Sequence, residues 1–118
     1  MREFKFRAWN KRIEAMSDIT GFDFWEKGVW VCDIHFDLDE VELMQYTGFT
    51  DCNDKEIYEG DIVKIFIDEK YPYLREIVFT DGAFQKKDKE GNLTPLKAEF
   101  ANKYYKVVGN IFENKDLL

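Results

Sequence analysis

Residues 57–65, IYEGDIVKI, decide how this chain folds. Gly60 stands between Glu59 and Asp61 at the mouth of an apolar run, where a chain leaving one strand must turn sharply before it starts the next. Glycine alone takes positive φ there without steric penalty. Val63, Ile65 and Ile67 then point to one side of an extended segment. The stretch reads as a structural corner feeding a strand, a pattern common in SH3-like small barrels. The competing reading is a ligand-contacting loop, since functional residues gather on loops held by rigid strands. On that reading Tyr58, Glu59 and Asp61 belong to a contact surface, and Gly60 remains the structural turn.

The flanks extend the β reading. VELMQYTGF (41–49) reads as a strand, and DCND (51–54) supplies turn residues leading into the corner. WVCDIHFDLD (30–39) alternates strictly, with Trp30, Cys32, Ile34, Phe36 and Leu38 on one face and Asp33, His35, Asp37 and Asp39 on a wet one. EFKFRAW (3–9) alternates as well, placing Phe4, Phe6 and Ala8 opposite Lys5, Arg7 and Trp9, with a turn expected at Asn10-Lys11. Asp81-Gly82 and Gly91-Asn92 are turn signals that bracket strands at REIVFT (75–80) and AFQKK (83–87). LTPLKAEFANK (93–103) suits a short helix capped by Thr94 with Pro95 at its first position. YYKVVGNIF (104–112) closes the chain as a strand, and Asn114 is placed to cap a last helical turn.

A chain of 118 residues suits one domain, which removes roughly 65% of its unfolded surface from water. Twenty aromatic residues (11 Phe, 6 Tyr, 3 Trp) favour strands. No stretch approaches the ~20 apolar residues of a membrane span, and the first ten residues lack a signal peptide's apolar core, so a cytoplasmic location is expected. Cys32 and Cys52 read as free thiols, because one histidine and no Cys-x-x-Cys spacing make neither a zinc site nor a disulfide framework.

The net charge of −7 resides in the first half of the chain. Residues 1–12 form a basic lip of +4, whereas residues 13–42 carry −8. This balance repels a nucleic-acid backbone. A local exception is Lys5, Arg7 and Trp9, which could form a cationic strip with an aromatic platform, or else an exposed strand guarded by charge against edge pairing.

Chemistry-bearing constellations are thin. Same-face neighbours on a strand lie ~6.5 to 7 Å apart, so Asp33, His35, Asp37 and Asp39 cannot all reach one cation at ~2.3 to 2.6 Å. Cys32 and His35 fall on opposite faces of their strand and cannot pair there for nucleophilic catalysis. Glu59 and Asp61 have no context that separates their pKa values into acid and base. No catalytic residue, metal ligand or cofactor site is assigned.

Three blocks, REFKFRAWN (2–10), LMQYTGFTDCNDKEIYEGDIVKI (43–65) and VVGNIFENKDLL (107–118), together resemble the YopX family of phage and prophage proteins. The chain departs from the family pattern at Asn10, where Asp is usual, at Asp54, where the hairpin usually has Gly, and at Lys115, where Pro usually opens the final turn. The resemblance implies a mainly all-β protein: N-terminal strands over about 1–45, an SH3-like small barrel over about 46–118, and short helical turns near the C-terminus, in one domain. It implies a phage or prophage origin, hence the bacterial host cytoplasm, and supplies no activity.

The functional expectation is a non-catalytic module acting through contact with an unidentified protein, with Lys5, Arg7, Trp9, Tyr58, Glu59 and Asp61 as candidate contact residues. Excess aromatics also favour a homo-oligomer built around Trp9, Trp25 and Trp30. A rival reading is an acidic DNA mimic. Duplex DNA carries a charge per ~1.7 Å, whereas alternate acids on a strand give one per ~6.5 Å. A small phage enzyme is the third reading.

Overall fold

The computed structural model describes residues 3–118; Arg2 of the basic lip lies outside them. The protein is mainly β and forms two compact units, residues 1–46 and 47–118.

In the first unit, β1 (Phe6–Asn10) lies between β2 (Ala15–Asp18) and the beginning of β6 (Val41–Thr50), antiparallel to both. A second small sheet runs β3 (Gly21–Asp23), β4 (Gly28–Val31), β5 (Ile34–Asp37) as a meander. Ala8, Val29 and Val41 form the buried centre, joined by Ile19, Phe36 and Leu43. Two expectations change here. The segment 30–39 is no continuous strand, because Cys32 takes φ 54° and turns the chain, so that Val31 pairs with Ile34. Nor is β1 an exposed edge. Residues 15–18, AMSD, carry little local strand signal, yet they complete a ladder beside it.

In the second unit, β7 (Glu56–Tyr58) leads through the Glu59-Gly60 corner into β8 (Asp61–Ile65). β8 is flanked by β9 (Tyr73–Thr80) and β12 (Tyr105–Asn110), with β10 (Ala83–Lys87) and β11 (Leu93–Pro95) beyond β9. This five-stranded sheet curls into a half-barrel, the small-barrel architecture expected. Ile57, Val63, Ile65, Ile77, Ala101 and Tyr105 fill its core without solvent exposure. Ile62 is fully buried too, so β8 is covered on both faces. Ile67 departs from the expected face, because β8 ends at Ile65 and Ile67 is 49% exposed.

The helix α1 covers Ala98–Tyr104, later than expected, because Leu93–Pro95 pair with β10 and Lys97 takes the N-cap position. Asn114 does stand before the final 3-10 turn, Lys115–Leu117, but its side chain makes no cap. Its Oδ1 instead accepts from the Asn110 N–H at 3.1 Å. Among the described residues no helix is long and apolar enough to cross a membrane.

Candidate functional site: an aromatic hairpin tip

The six candidate contact residues divide between the units, and three of them are buried. In the N-terminal unit Trp9 is only 9% exposed, so it offers no stacking platform. Lys5 is bonded to Glu3 at 3.1 Å and sits over the Tyr46 ring at 5.5 Å. Arg7 is half-buried in the central strand. The expected cationic strip is therefore lost, because β1 is packed on both edges and its aromatic member points into protein.

At the corner of the C-terminal unit Tyr58 and Asp61 are also buried, at 8% and 2% exposure. Asp61 Oδ2 accepts from the Tyr58 N–H at 2.8 Å and ties the corner together. Gly60 takes φ 88° there, a conformation that side chains with Cβ resist. Its N–H donates to the Ile77 carbonyl at 2.8 Å. Glu59 alone of the three reaches partway to solvent.

The most exposed large apolar side chains among the described residues lie elsewhere, on a segment that alternation did not single out as a site. Between β3 and β4 the chain makes a four-residue hairpin tip, Phe24–Lys27, in which Phe24 is 89% exposed and Trp25 92%. Phe22 stacks on Phe24 at 6.0 Å between ring centroids and meets Phe6 edge-to-face at 4.9 Å, extending the patch along the sheet. The tip is shaped by Asp23, whose Oδ1 accepts the N–H groups of Trp25 (3.1 Å) and Glu26 (2.9 Å). An aspartate that bonds the backbone two and three residues on stabilises a turn without tertiary help.

His35 braces the base of this hairpin. Its Nε2 is 3.8 Å from Asp23 Oδ2, its Nδ1 is 3.8 Å from Asp37 Oδ1, and its ring meets Trp30 edge-to-face at 5.0 Å. Gly28 makes room for the imidazole, since a Cβ there would run into Nε2 and the Phe36 carbonyl oxygen. The two nitrogens face different carboxylates, each beyond hydrogen-bond distance, and Nε2 is buried without a hydrogen-bond partner among the described residues. The sequence signal that could have found the site was FDFW (22–25), three aromatics around an aspartate suited to shaping a turn.

Charge and chemistry at this surface suit contact. Isolated exposed apolar residues are ordinary, whereas here two adjacent aromatics lie almost wholly in water and join further rings in one contiguous apolar patch. The acids around them are dispersed: Asp33 in a turn, Asp37 ending β5, and Asp39 in the 3-10 turn Leu38–Glu40.

Comparison with known proteins agrees with this fold. A family model described as YopX protein matches residues 5–118. The crystal structure of protein EF1440 from Enterococcus faecalis is similar at 27% identity and a TM-score of 0.74, covering 100% of this chain and 99% of that one. The crystal structure of protein yopX from Bacillus subtilis is similar in fold at 22% identity and a TM-score of 0.65, covering 97% of each chain. No curated protein matches. With the family model spanning nearly the whole chain, the protein belongs to the YopX family.

Proposed function

We propose that this is a non-catalytic accessory protein of a phage or prophage, acting in the host cytoplasm as a protein-binding module through the Phe24-Trp25 hairpin tip. The observation that carries the reading is the near-complete exposure of both rings on a turn pre-shaped by Asp23. Aromatic side chains on a rigid support supply most of the energy of typical protein contacts, because they bury a large area at little entropic cost. The complementary surface is therefore a protein recess with apolar walls. The net −8 of residues 13–42 makes nucleic acid an unfavourable ligand. The DNA-mimic reading loses support as well, since the acids of 33–39 are spread over a turn, a strand and a 3-10 turn and lack regular spacing.

The test is a photo-crosslinking amino acid placed at Phe24 in bacterial cells, with the same group at exposed Lys89 as control. A protein adduct at position 24 that exceeds the control and disappears with Trp25→Ser supports the reading. Equal labelling at both positions would refute it.

A further inference from the structure

The N-terminal unit holds a second feature, a cavity of about 180 Å³ lined from the β2-β1-β6 face and from the β3-β4-β5 meander. On its floor Ala8 stands opposite Ser17 and Asn10 opposite Val41. Residues paired across antiparallel strands share a face, so these four look to one side. The roof comes from the meander, where Val31 pairs with Ile34 across the Cys32 turn and Phe36 lies on the same face two residues further on. Ala8 and Ser17, two small side chains set side by side, leave a hollow that this roof does not fill. Ile13 and Ile34, 66% and 60% exposed, edge the opening.

The lining is apolar except for two uncharged groups, Asn10 and Ser17. Asn10 Oδ1 accepts from the N–H groups of Arg12 at 3.0 Å and Ile13 at 3.3 Å, which fixes the orientation of the amide and leaves Nδ2 to donate. The Ser17 hydroxyl can donate or accept. The two are diagonal neighbours on paired strands, ~7 to 8 Å apart, a span that one hydroxyl bridges with a hydrogen bond to each side. We infer that this cavity is a binding site for a neutral one-ring molecule that carries a hydroxyl, a ligand of the phenol class. Its ring lies against Ala8, Val31 and Phe36, and its hydroxyl accepts from Asn10 Nδ2 and donates to Ser17 Oγ.

Size and charge set that class. An apolar cavity of ~150 Å³ accepts benzene, so this one has room for a single ring with a small substituent. It is below the ~300 Å³ at which drug-sized ligand pockets begin. Among the described residues no charged side chain lines it, so an ionic ligand would lose its hydration and gain no counter-charge. A hollow of this size weakens packing, and a larger apolar side chain at position 17 would close it and remove the hydroxyl together. No residue of the Phe24-Trp25 tip lines the cavity, so the site stands apart from the tip and its test is separate.

The full chain, isotope-labelled, is titrated with phenol, toluene and benzoate and followed by nuclear magnetic resonance. Phenol should give saturable shifts at the backbone amides of Ser17, Val31, Ile34 and Phe36, while those of β8 and β9 stay fixed. Toluene, which keeps the ring and lacks the hydroxyl, should bind about fivefold more weakly, and benzoate should not bind. Ser17→Ala should narrow the gap between phenol and toluene, because it deletes one of the two hydrogen bonds. Ser17→Leu, which fills the hollow, should abolish binding of both, and Trp25→Ser should change neither. Should Ser17→Leu fail to fold, the Ser17→Ala comparison decides. Shifts that never saturate, that spread over both units, or that persist in a folded Ser17→Leu variant overturn the site. Equal affinities for phenol and toluene, a gap unchanged by Ser17→Ala, or binding of benzoate overturns the ligand class.

Discussion

Asp51 and Val107, 56 residues apart in sequence, are joined by a hydrogen bond from the Val107 N–H to Asp51 Oδ2 at 2.9 Å. The other oxygen, Oδ1, accepts from the N–H groups of Asn53 at 2.8 Å and Lys55 at 2.9 Å. One carboxylate thus shapes the 51–55 turn and fixes it to β12 from within the C-terminal unit. Asp51 is only 1% exposed.

Removing that carboxylate leaves a buried N–H without an acceptor as well as a loosened turn. Hydrogen bonds to charged groups contribute about 1.5 to 3 kcal/mol each and are not additive, so Asp51→Ala should lower unfolding stability by about 3 kcal/mol. Asp51→Asn keeps one acceptor oxygen and should lose less. Urea titration followed by circular dichroism gives both numbers; equal midpoints for Asp51→Ala and the unmodified chain would show that the bond is dispensable.

At Gly60 the positive φ of 88° sets a graded cost. Gly60→Ala should destabilise by about 1 kcal/mol, and Gly60→Val by more, because β-branched residues tolerate that region worst. Thermal melts of the pair, taken side by side, check the order. Identical curves would mean that the corner relaxes to negative φ.

Gly28→Ala addresses the brace beneath the aromatic tip. The new methyl would meet His35 Nε2 and the Phe36 carbonyl oxygen, and the carbonyl belongs to the β5 backbone. Overpacking of this kind costs about 1 to 3 kcal/mol. Hydrogen exchange should quicken over residues 21–37 and stay unchanged in β8 and β9. Uniform protection in both units would show that His35 simply swings aside.

Tyr105 sets an alkaline limit. Burial raises its hydroxyl above the ordinary value of 10.0. The unfolded chain therefore ionises first, so the contribution is complete below about pH 10 and is lost as pH rises from there toward the folded pKa. Stability should fall across that window, and Tyr105→Phe should flatten the part due to this residue. Denaturant midpoints from pH 8 to 11 provide the test, and a Tyr105→Phe profile with an undiminished slope would assign the loss to other groups.

Turns and ladders in this protein were written locally. Asp51 through Asp54, the Glu59-Gly60 corner and Asp81-Gly82 each hold the residues that a tight reversal needs within four positions, and β6, β9, β10 and β12 carry apolar or β-branched residues that suit strands. Those features, together with the three family-like blocks, made the mainly β fold and the small curled barrel readable from the sequence. Burial was not. Whether Trp9, Tyr58 and Asp61 face solvent depends on which strands pack beside them, and AMSD (15–18) forms a strand only because β1 offers it a ladder. Cys32 breaks an apparently perfect alternation because a residue in the left-handed region turns the chain, which period-two patterning cannot register. Trp25 was an expected interface residue, but the exposure of the tip as a whole was decided only in three dimensions. Hydrophobicity says that Phe24 and Trp25 gain by leaving water, but only the packed neighbours decide whether this chain's own core receives them, and here it leaves both in solvent.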